Sequence, residues 1–345
     1  MKKTDASYVQ RLSQYRYCLS QVLVKRFYKG YLYIEVNMIN FEDVSKFIVK
    51  DVSLHVKQGE VTGLIGPTGS GKTTLVRLAS GLLLPERGRV SVMREDPVKF
   101  RSKYASRLSV CITGIKLLQD EDTALVGLGM LRDMYGIQEA EYDKRYALLA
   151  ERFNFGAFEN ERLKGLSVGQ RRRVELAAAF LLEPELMILD EPEVGLDETG
   201  KQALEEIIRE KAGEGMTILI TSHDMTGISN VCSRLAILEK GRLVFNGSED
   251  ILRSKTLPIN TLTVSFDGAV PNIDDLPIVR YRLEGNTISY DYNSRYISAS
   301  EVLGVIMKQT RITDIKIKKP DLEQIIISMQ KSEEKDEFYR SRKHQ

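Results

Sequence analysis

The chain has 345 residues, 42% of them apolar and 28% charged, ordinary proportions for a globular protein that buries a sizeable core. Fifty basic against 48 acidic residues leave a net charge of +2. That balance argues against nucleic acid as the main partner, because phosphate-backbone binding needs a basic surplus on one face. Length predicts two domains, or one large and one small. Cys18, Cys111 and Cys232 are scattered, with no Cys-x-x-Cys pair, so neither a disulfide framework nor a zinc site is indicated and a reducing, cytoplasmic compartment is expected.

Residues 1–30 carry seven Lys or Arg and a single acid, Asp5. No apolar run follows the basic start, so a secretory signal is not expected. Val9, Leu12, Tyr15, Leu19 and Val22 recur at three- and four-residue steps, which predicts an amphipathic helix. Such a helix either packs on the main domain or meets a membrane surface or membrane partner. Residues 31–250 alternate short β-rich runs (32–36, 61–65, 108–112, 186–190, 217–221, 235–239 and 243–245) with helical patterns at 72–82, 170–182 and 199–213. Strand–helix alternation of this kind predicts an α/β fold with a largely parallel sheet. A mostly helical stretch at 123–165 interrupts it, so a helical subdomain is placed at about 115–175. The most apolar stretch, 174–189, is broken by Glu175, Glu183, Pro184 and Glu185. A membrane span needs about 20 mostly apolar residues, so none is expected. Residues 258–330 read as a small α+β domain: LTVSF, IVRYRLEG, TISYDY and TDIKIK as strands, EVLGVIMKQ and DLEQIIISMQ as helices. Residues 331–345 form a charged, solvated tail. No internal repeat is visible.

GPTGSGKTT, residues 66–74, fits G-x-x-x-x-G-K-[ST] and sits between the strand candidate VTGLI and a helical pattern, the context that gives the motif its meaning. The loop runs from Gly66 through Pro67, Thr68, Gly69 and Ser70 to Gly71. Its glycines let successive N–H groups face one concavity at a helix N-terminus, which binds polyphosphate by backbone. Lys72 is placed at the β- and γ-phosphates and Thr73 on Mg²⁺. Such a site needs an acid at the end of a neighbouring apolar strand. LMILDEPEVGLDE, residues 186–198, supplies Asp190 for the metal and Glu191 to take the proton of an attacking water. LSVGQRRR, residues 166–173, puts a second Ser and Gly at the start of a helix.

Taken together, these motifs resemble the ATP-binding subunits of ABC transporters over residues 34–330. GPTGSGKTT is the phosphate loop, LSVGQ the signature, LMILDE the acidic strand, GLD at 195–197 the D-loop, and TSHD at 221–224 carries the switch histidine. The resemblance implies a P-loop ABC cassette with a small α+β domain appended, ATP and Mg²⁺ as cofactors with no other metal, and a membrane permease on a separate chain. It implies a homodimer or pseudo-symmetric dimer in which ATP is sandwiched head to tail, on the cytoplasmic face of the membrane. By position, Thr74 lies beside the α-phosphate, His223 senses the γ-phosphate, and Ser167, Gly169 and Gln170 act in trans on the partner's nucleotide. Asp197 lies at the dimer seam. Phe41 is chosen as the adenine platform, with Phe47 as the alternative.

Two departures stand out. The family's glutamine after the next strand falls here on Gly114, and the nearest glutamine is Gln119. Either a remodelled loop brings Gln119 in or the contact is absent. Glu193 stands where the family commonly has threonine. TDIKIKKPDLEQIIISM looks like the I-x-x-P-x-L-E-x-x-F ending of drug, sodium and polysaccharide exporter ATPases of the type-two class, with Ile326 in place of Phe. Importer ATPases tend to carry a β-barrel regulatory domain instead. Soluble ABC ATPases of ribosomes or DNA usually carry two cassettes or a long coiled coil. An exporter ATPase is therefore the expectation.

Overall fold

The computed structural model describes residues 25–28, 31–34, 36–224, 230–255, 259–273, 276–320 and 325. The expected N-terminal amphipathic helix, the closing helix at 321–330 apart from Ile325, and the charged tail lie outside the described residues. The chain divides into two compact units, Met1–Asn246 and Gly247–Gln345.

The first unit opens with an antiparallel pair, β1 (Lys25–Tyr28) and β2 (Tyr31–Ile34). Then follow β3 (Asn37–Lys46), β4 (Val49–Lys57), β5 (Val61–Ile65), α1 (Lys72–Ala79), β6 (Arg87–Val92) and β7 (Leu108–Cys111). Two helices, α2 (Ala124–Tyr135) and α3 (Glu139–Arg152), make up the inserted helical stretch. The unit continues through α4 (Val168–Leu181), β8 (Leu186–Asp190), α5 (Glu198–Gly213), β9 (Thr217–Ser222), β10 (Arg234–Glu239) and β11 (Arg242–Gly247).

The central sheet has the order β11-β10-β5-β9-β8-β7, and the pairs from β10 to β7 are all parallel. Every residue of β5, β8 and β9 is buried. Along β8, Met187 and Leu189 enter one apolar core while Leu186 and Ile188 enter another. Burial on both faces is why these strands read as unbroken apolar runs rather than alternating ones. The first core is closed by α4, α5 and the inserted helices, with Phe153, Phe155 and Phe180 filling it.

The second core is closed by α1 and by an antiparallel sheet, β4-β3-β6, that the sequence pattern did not mark. The reason is physical. The β3–β4 pairing shifts register between Phe41 and Val44 and again between Val44 and Lys46, and Asp43, Phe47 and Asp51 have positive φ. Each bulge inserts a residue and breaks the two-residue period.

The second unit comprises α6 (Glu249–Lys255), β12 (Ile259–Asp267), β13 (Ile278–Glu284), β14 (Thr287–Asn293), α7 (Ala299–Ile306) and β15 (Arg311–Lys318). Its sheet is antiparallel, ordered β13-β14-β12-β15. Val302 and Ile306 of α7 pack with Leu262, Val264, Ile288, Tyr290 and Tyr292 in a separate core. A Ser298–Glu301 capping box starts that helix. On the opposite face Thr261 bonds Asp291 at 2.7 Å, and Thr263 and Ser265 meet Ser289 and Thr287.

Candidate functional site

Parallel strands bring their C-terminal ends to one edge, where open α/β sheets place their ligands. Here β9 lies between β5 and β8, with Ile65 opposite Ser222 and Asp190 opposite Thr221. Three loops therefore converge: residues 66–71, the turn after Asp190 and the turn at His223.

The pocket beside the first two has a volume of about 410 Å³ and is lined by Ile48, Thr68, Gly69, Gly71, Lys72, Thr73, Thr74, Thr113, Asp190 and Glu191. Lys72 is 4% exposed. Its ammonium donates to the carbonyls of Gly66 at 2.8 Å and Pro67 at 3.2 Å, and lies 3.5 Å from Glu191 Oε1. Asp190 is fully buried. It accepts from Thr221 Oγ1 at 2.7 Å and from Thr73 Oγ1 at 3.1 Å.

Glu191 turns the chain with φ +45°, a costly conformation for a residue with a Cβ. Its surroundings hold it there. The Glu191 N–H donates to Thr221 Oγ1 at 2.9 Å. The buried Arg172 guanidinium donates to the carbonyls of Asp190 and Glu191 at 3.1 Å each and to that of Pro192 at 3.1 Å. The Glu191 carboxylate is thereby aimed between Lys72 and His223, whose Nδ1 lies 3.2 Å from Oε2.

A second cleft, of about 430 Å³, is lined by Asn154, Phe158, Ser167, Gly169, Gln170, Arg173, Gly195 and Asp197. Ser167 caps α4 reciprocally: its hydroxyl accepts the Gln170 N–H at 3.2 Å, and Gln170 Oε1 accepts the Ser167 N–H at 2.9 Å. A Cβ on Gly169 would stand 2.7 Å from the Gly195 carbonyl, so glycine is what lets the helix start approach the turn before α5. Asp197 caps α5 through the Gly200 N–H at 2.9 Å and pairs with Arg173 at 2.5 Å. The Gly200 bond first, then Arg173, hold its carboxyl below the usual aspartate range.

The sequence-selected residues thus fall into two groups. Lys72, Thr73, Thr74, Asp190 and Glu191 line the first cleft, with His223 against Glu191; Ser167, Gly169, Gln170 and Asp197 line the second. Phe41 is a correction. Its side chain is fully buried in the core beneath β3 and offers no face for a base. Phe47 is exposed at the β3–β4 turn, next to the pocket residue Ile48, with the Lys46 ammonium 4.7 Å from its ring centre. Gln119 is exposed and does not line the phosphate pocket. The side chain that lines the pocket beside Gly114 is Thr113, whose hydroxyl donates to the Asp190 carbonyl at 3.0 Å.

Three contributors were not singled out from the sequence: Thr113, Arg172 and Thr221. Arg172 and Thr221 stand inside the LSVGQRRR and TSHD motifs, so adjacency was the available signal. Thr113 carried none.

A profile of the ABC transporter family matches residues 49–194. The ABC transporter ATP-binding protein NatA of Bacillus subtilis (strain 168) is 34% identical over 214 residues, 61% of this chain and 87% of that one. The Nod factor export ATP-binding protein I of Bradyrhizobium diazoefficiens is 30% identical over 246 residues, 70% of this chain and 80% of its own. A solved ATP-binding subunit of an ABC transporter superposes with TM-score 0.59 at 30% identity, covering 63% of this chain and 92% of that one. Phosphate loop, acidic strand end and signature helix stand on the fold these relatives share, and the chain belongs to the ABC transporter family as an ATP-binding subunit, the class that hydrolyses ATP.

Proposed function

We propose that this cassette pairs head to tail with a second copy, or with a related subunit, around two ATP molecules and drives export through a permease on a separate chain. The observation that carries the reading is the division of the anion-handling groups into two clefts with no lining residue in common. One chain holds the loop, Lys72 and the acids in the first. It presents the capped start of α4 in the second, where a partner's γ-phosphate completes the arrangement.

The donor set fits Mg²⁺-ATP. Gly69 has φ +81°, and a Cβ there would meet no atom of the described residues within 4 Å, so the loop leaves a cradle over its N–H groups. Among the described residues no three His, Cys, Asp or Glu side chains cluster to hold a metal. Thr73 and Asp190 offer the few hard oxygens Mg²⁺ takes from protein when phosphates and water supply the rest. Bound there, Mg²⁺ would neutralise charge on the phosphates. Lys72 exchanges the Gly66 and Pro67 carbonyls for phosphate oxygens. Glu191 accepts the proton of the attacking water, and His223 orients the Glu191 carboxylate and meets the γ-phosphate. Phe47 takes the role of adenine platform, and Gln119 stays outside the pocket.

Export is supported by the name of the Bradyrhizobium relative and by the I-x-x-P-x-L-E pattern at 317–323. A permease is supported by the exposed row Val126, Met130 and Met134 on one side of α2, since apolar side chains spaced by four share a helix face. Among the described residues no helix is long and apolar enough to cross a membrane, and the subunit works as a peripheral component of the cytoplasmic face.

The test is the Glu191→Gln protein. Its hydrolysis should fall by about two to four orders of magnitude with ATP binding kept, the range for a lost general base. Light scattering after size exclusion should then show a dimer in ATP and a monomer in ADP. A monomer at saturating ATP, or near-normal turnover, would sink the reading.

A further inference from the structure

Glu193 lines neither cleft. Its carboxylate turns inward. One oxygen bonds the Ser222 hydroxyl, and the other is buried with no hydrogen-bond partner among the described residues. Burial is the largest influence on this carboxyl and raises its pKa above the usual glutamate range, against the lowering effect of the Ser222 bond. Ser222 closes β9 and is itself fully buried. Its Oγ accepts the Asp224 N–H at 2.8 Å and lies 2.7 Å from the Asp224 carbonyl oxygen. A single hydroxyl therefore ties together both ends of a three-residue turn whose middle member is His223. That histidine is exposed, and among the described residues its ring bonds only the Glu191 carboxylate. The backbone of that turn carries the imidazole and sets the point from which it reaches Glu191.

We propose that Glu193 is a positioning residue for His223: through the Ser222 hydroxyl it fixes the 222–224 turn so that the imidazole stays against Glu191. The proposal rests on the reading of Glu191 and His223 as the hydrolytic pair. A buried hydrogen bond between groups with few alternative partners holds geometry more firmly than an exposed one. Small misplacements of a reacting group cost rate rather than binding.

The full-length protein carries the test, as steady-state ATP hydrolysis of Glu193→Ala, Ser222→Ala, the double variant, Glu193→Gln and His223→Ala. Glu193→Ala and Ser222→Ala should each lower kcat by about 10- to 100-fold, with KM and ATP affinity unchanged. The double variant should be no worse than the poorer single one, because both remove the same link. Glu193→Gln should recover most of the rate, since either end of its amide bonds the Ser222 hydroxyl. The chain has three histidines, so the His223 ring signals can be assigned by NMR. Glu193→Ala should move them and leave those of His55 in place. Full kcat in Glu193→Ala beside an inactive His223→Ala would overturn the proposal, as would additive losses in the double variant. Normal turnover in His223→Ala would instead remove the hydrolytic pair, and this proposal with it. Should Glu193→Ala not fold, Ser222→Ala decides alone: it deletes one oxygen, and a full rate there is equally fatal.

Discussion

The two clefts use one device in two states. Each is built at a glycine-bearing helix N-terminus, where backbone N–H groups and the helix dipole favour anions. In the phosphate pocket the supporting groups are sunk into the fold. Asp190 and Thr221 are fully buried and Lys72 nearly so, and each has at least one fixed partner. In the signature cleft Val168 is 75% exposed and the Asp197 side chain 64%. Its polar groups are satisfied within the helix caps themselves. Burial holds the side chains of the first cleft in place. Exposure leaves the second as a rigid edge that another surface can meet. The comparison teaches that similar anion-binding geometry can stand in two settings, one with its supporting side chains sunk in the fold and one with them at the surface.

The largest effect that could break this comparison is expected from Gly169→Ala. The added Cβ forces α4 away from the Gly195 carbonyl. Hydrolysis should drop by about a hundredfold or more, the scale of one lost transition-state donor. ATP affinity measured by calorimetry should change less than about twofold, because affinity is set in the other cleft. Unaltered turnover would remove the signature cleft from the reaction.

Lys72→Ala should do the converse. Losing a charge-assisted contact of about 1.5–3 kcal/mol raises the ATP dissociation constant by roughly 10- to 100-fold. Calorimetry showing wild-type affinity would contradict the assignment of that pocket.

The smallest effect sharpens the comparison rather than breaking it. Asp197→Ala removes the cap of α5, and the melting temperature should fall by a few degrees. The Asp197 carboxyl is held below its ordinary range, first by the Gly200 N–H and then by Arg173. A lowered carboxylate contributes above the unfolded aspartate value, and its contribution fades as pH falls through the lowered folded value. The gap in melting temperature between wild type and variant should therefore be full near neutrality and narrow below about pH 4. A gap that widens in acid would show that the cap is not what Asp197 supplies.

Legibility differed with the range of the interaction. The phosphate loop could be read because strand, loop and helix are contiguous, and glycine spacing reports backbone geometry directly. Asp190 and Glu191 were legible as the acids that end an apolar strand. Phe41 was misread because distance along the chain does not say which face of a bulged strand a ring occupies. Thr113 was invisible because a lone threonine after a short strand carries no pattern. Glu193 was visible only as an oddity until Ser222, 29 residues away, was found against it.

By itself, then, the sequence determined the alternation of strands and helices, the phosphate loop, the acids, the signature and the histidine, all set by local periodicity and by backbone demands that particular residue types meet. The tertiary structure decided what depends on juxtaposition. Strand order placed Thr221 between Asp190 and Glu191, packing in the second core buried Phe41, and the β3–β4 turn left Phe47 exposed. The close passage of Gly169 by Gly195 built the second cleft, and the burial of Glu193 tied it to the turn that carries His223. Hydrogen bonds between distant segments leave no period in a sequence, and only the packed fold brings their ends together.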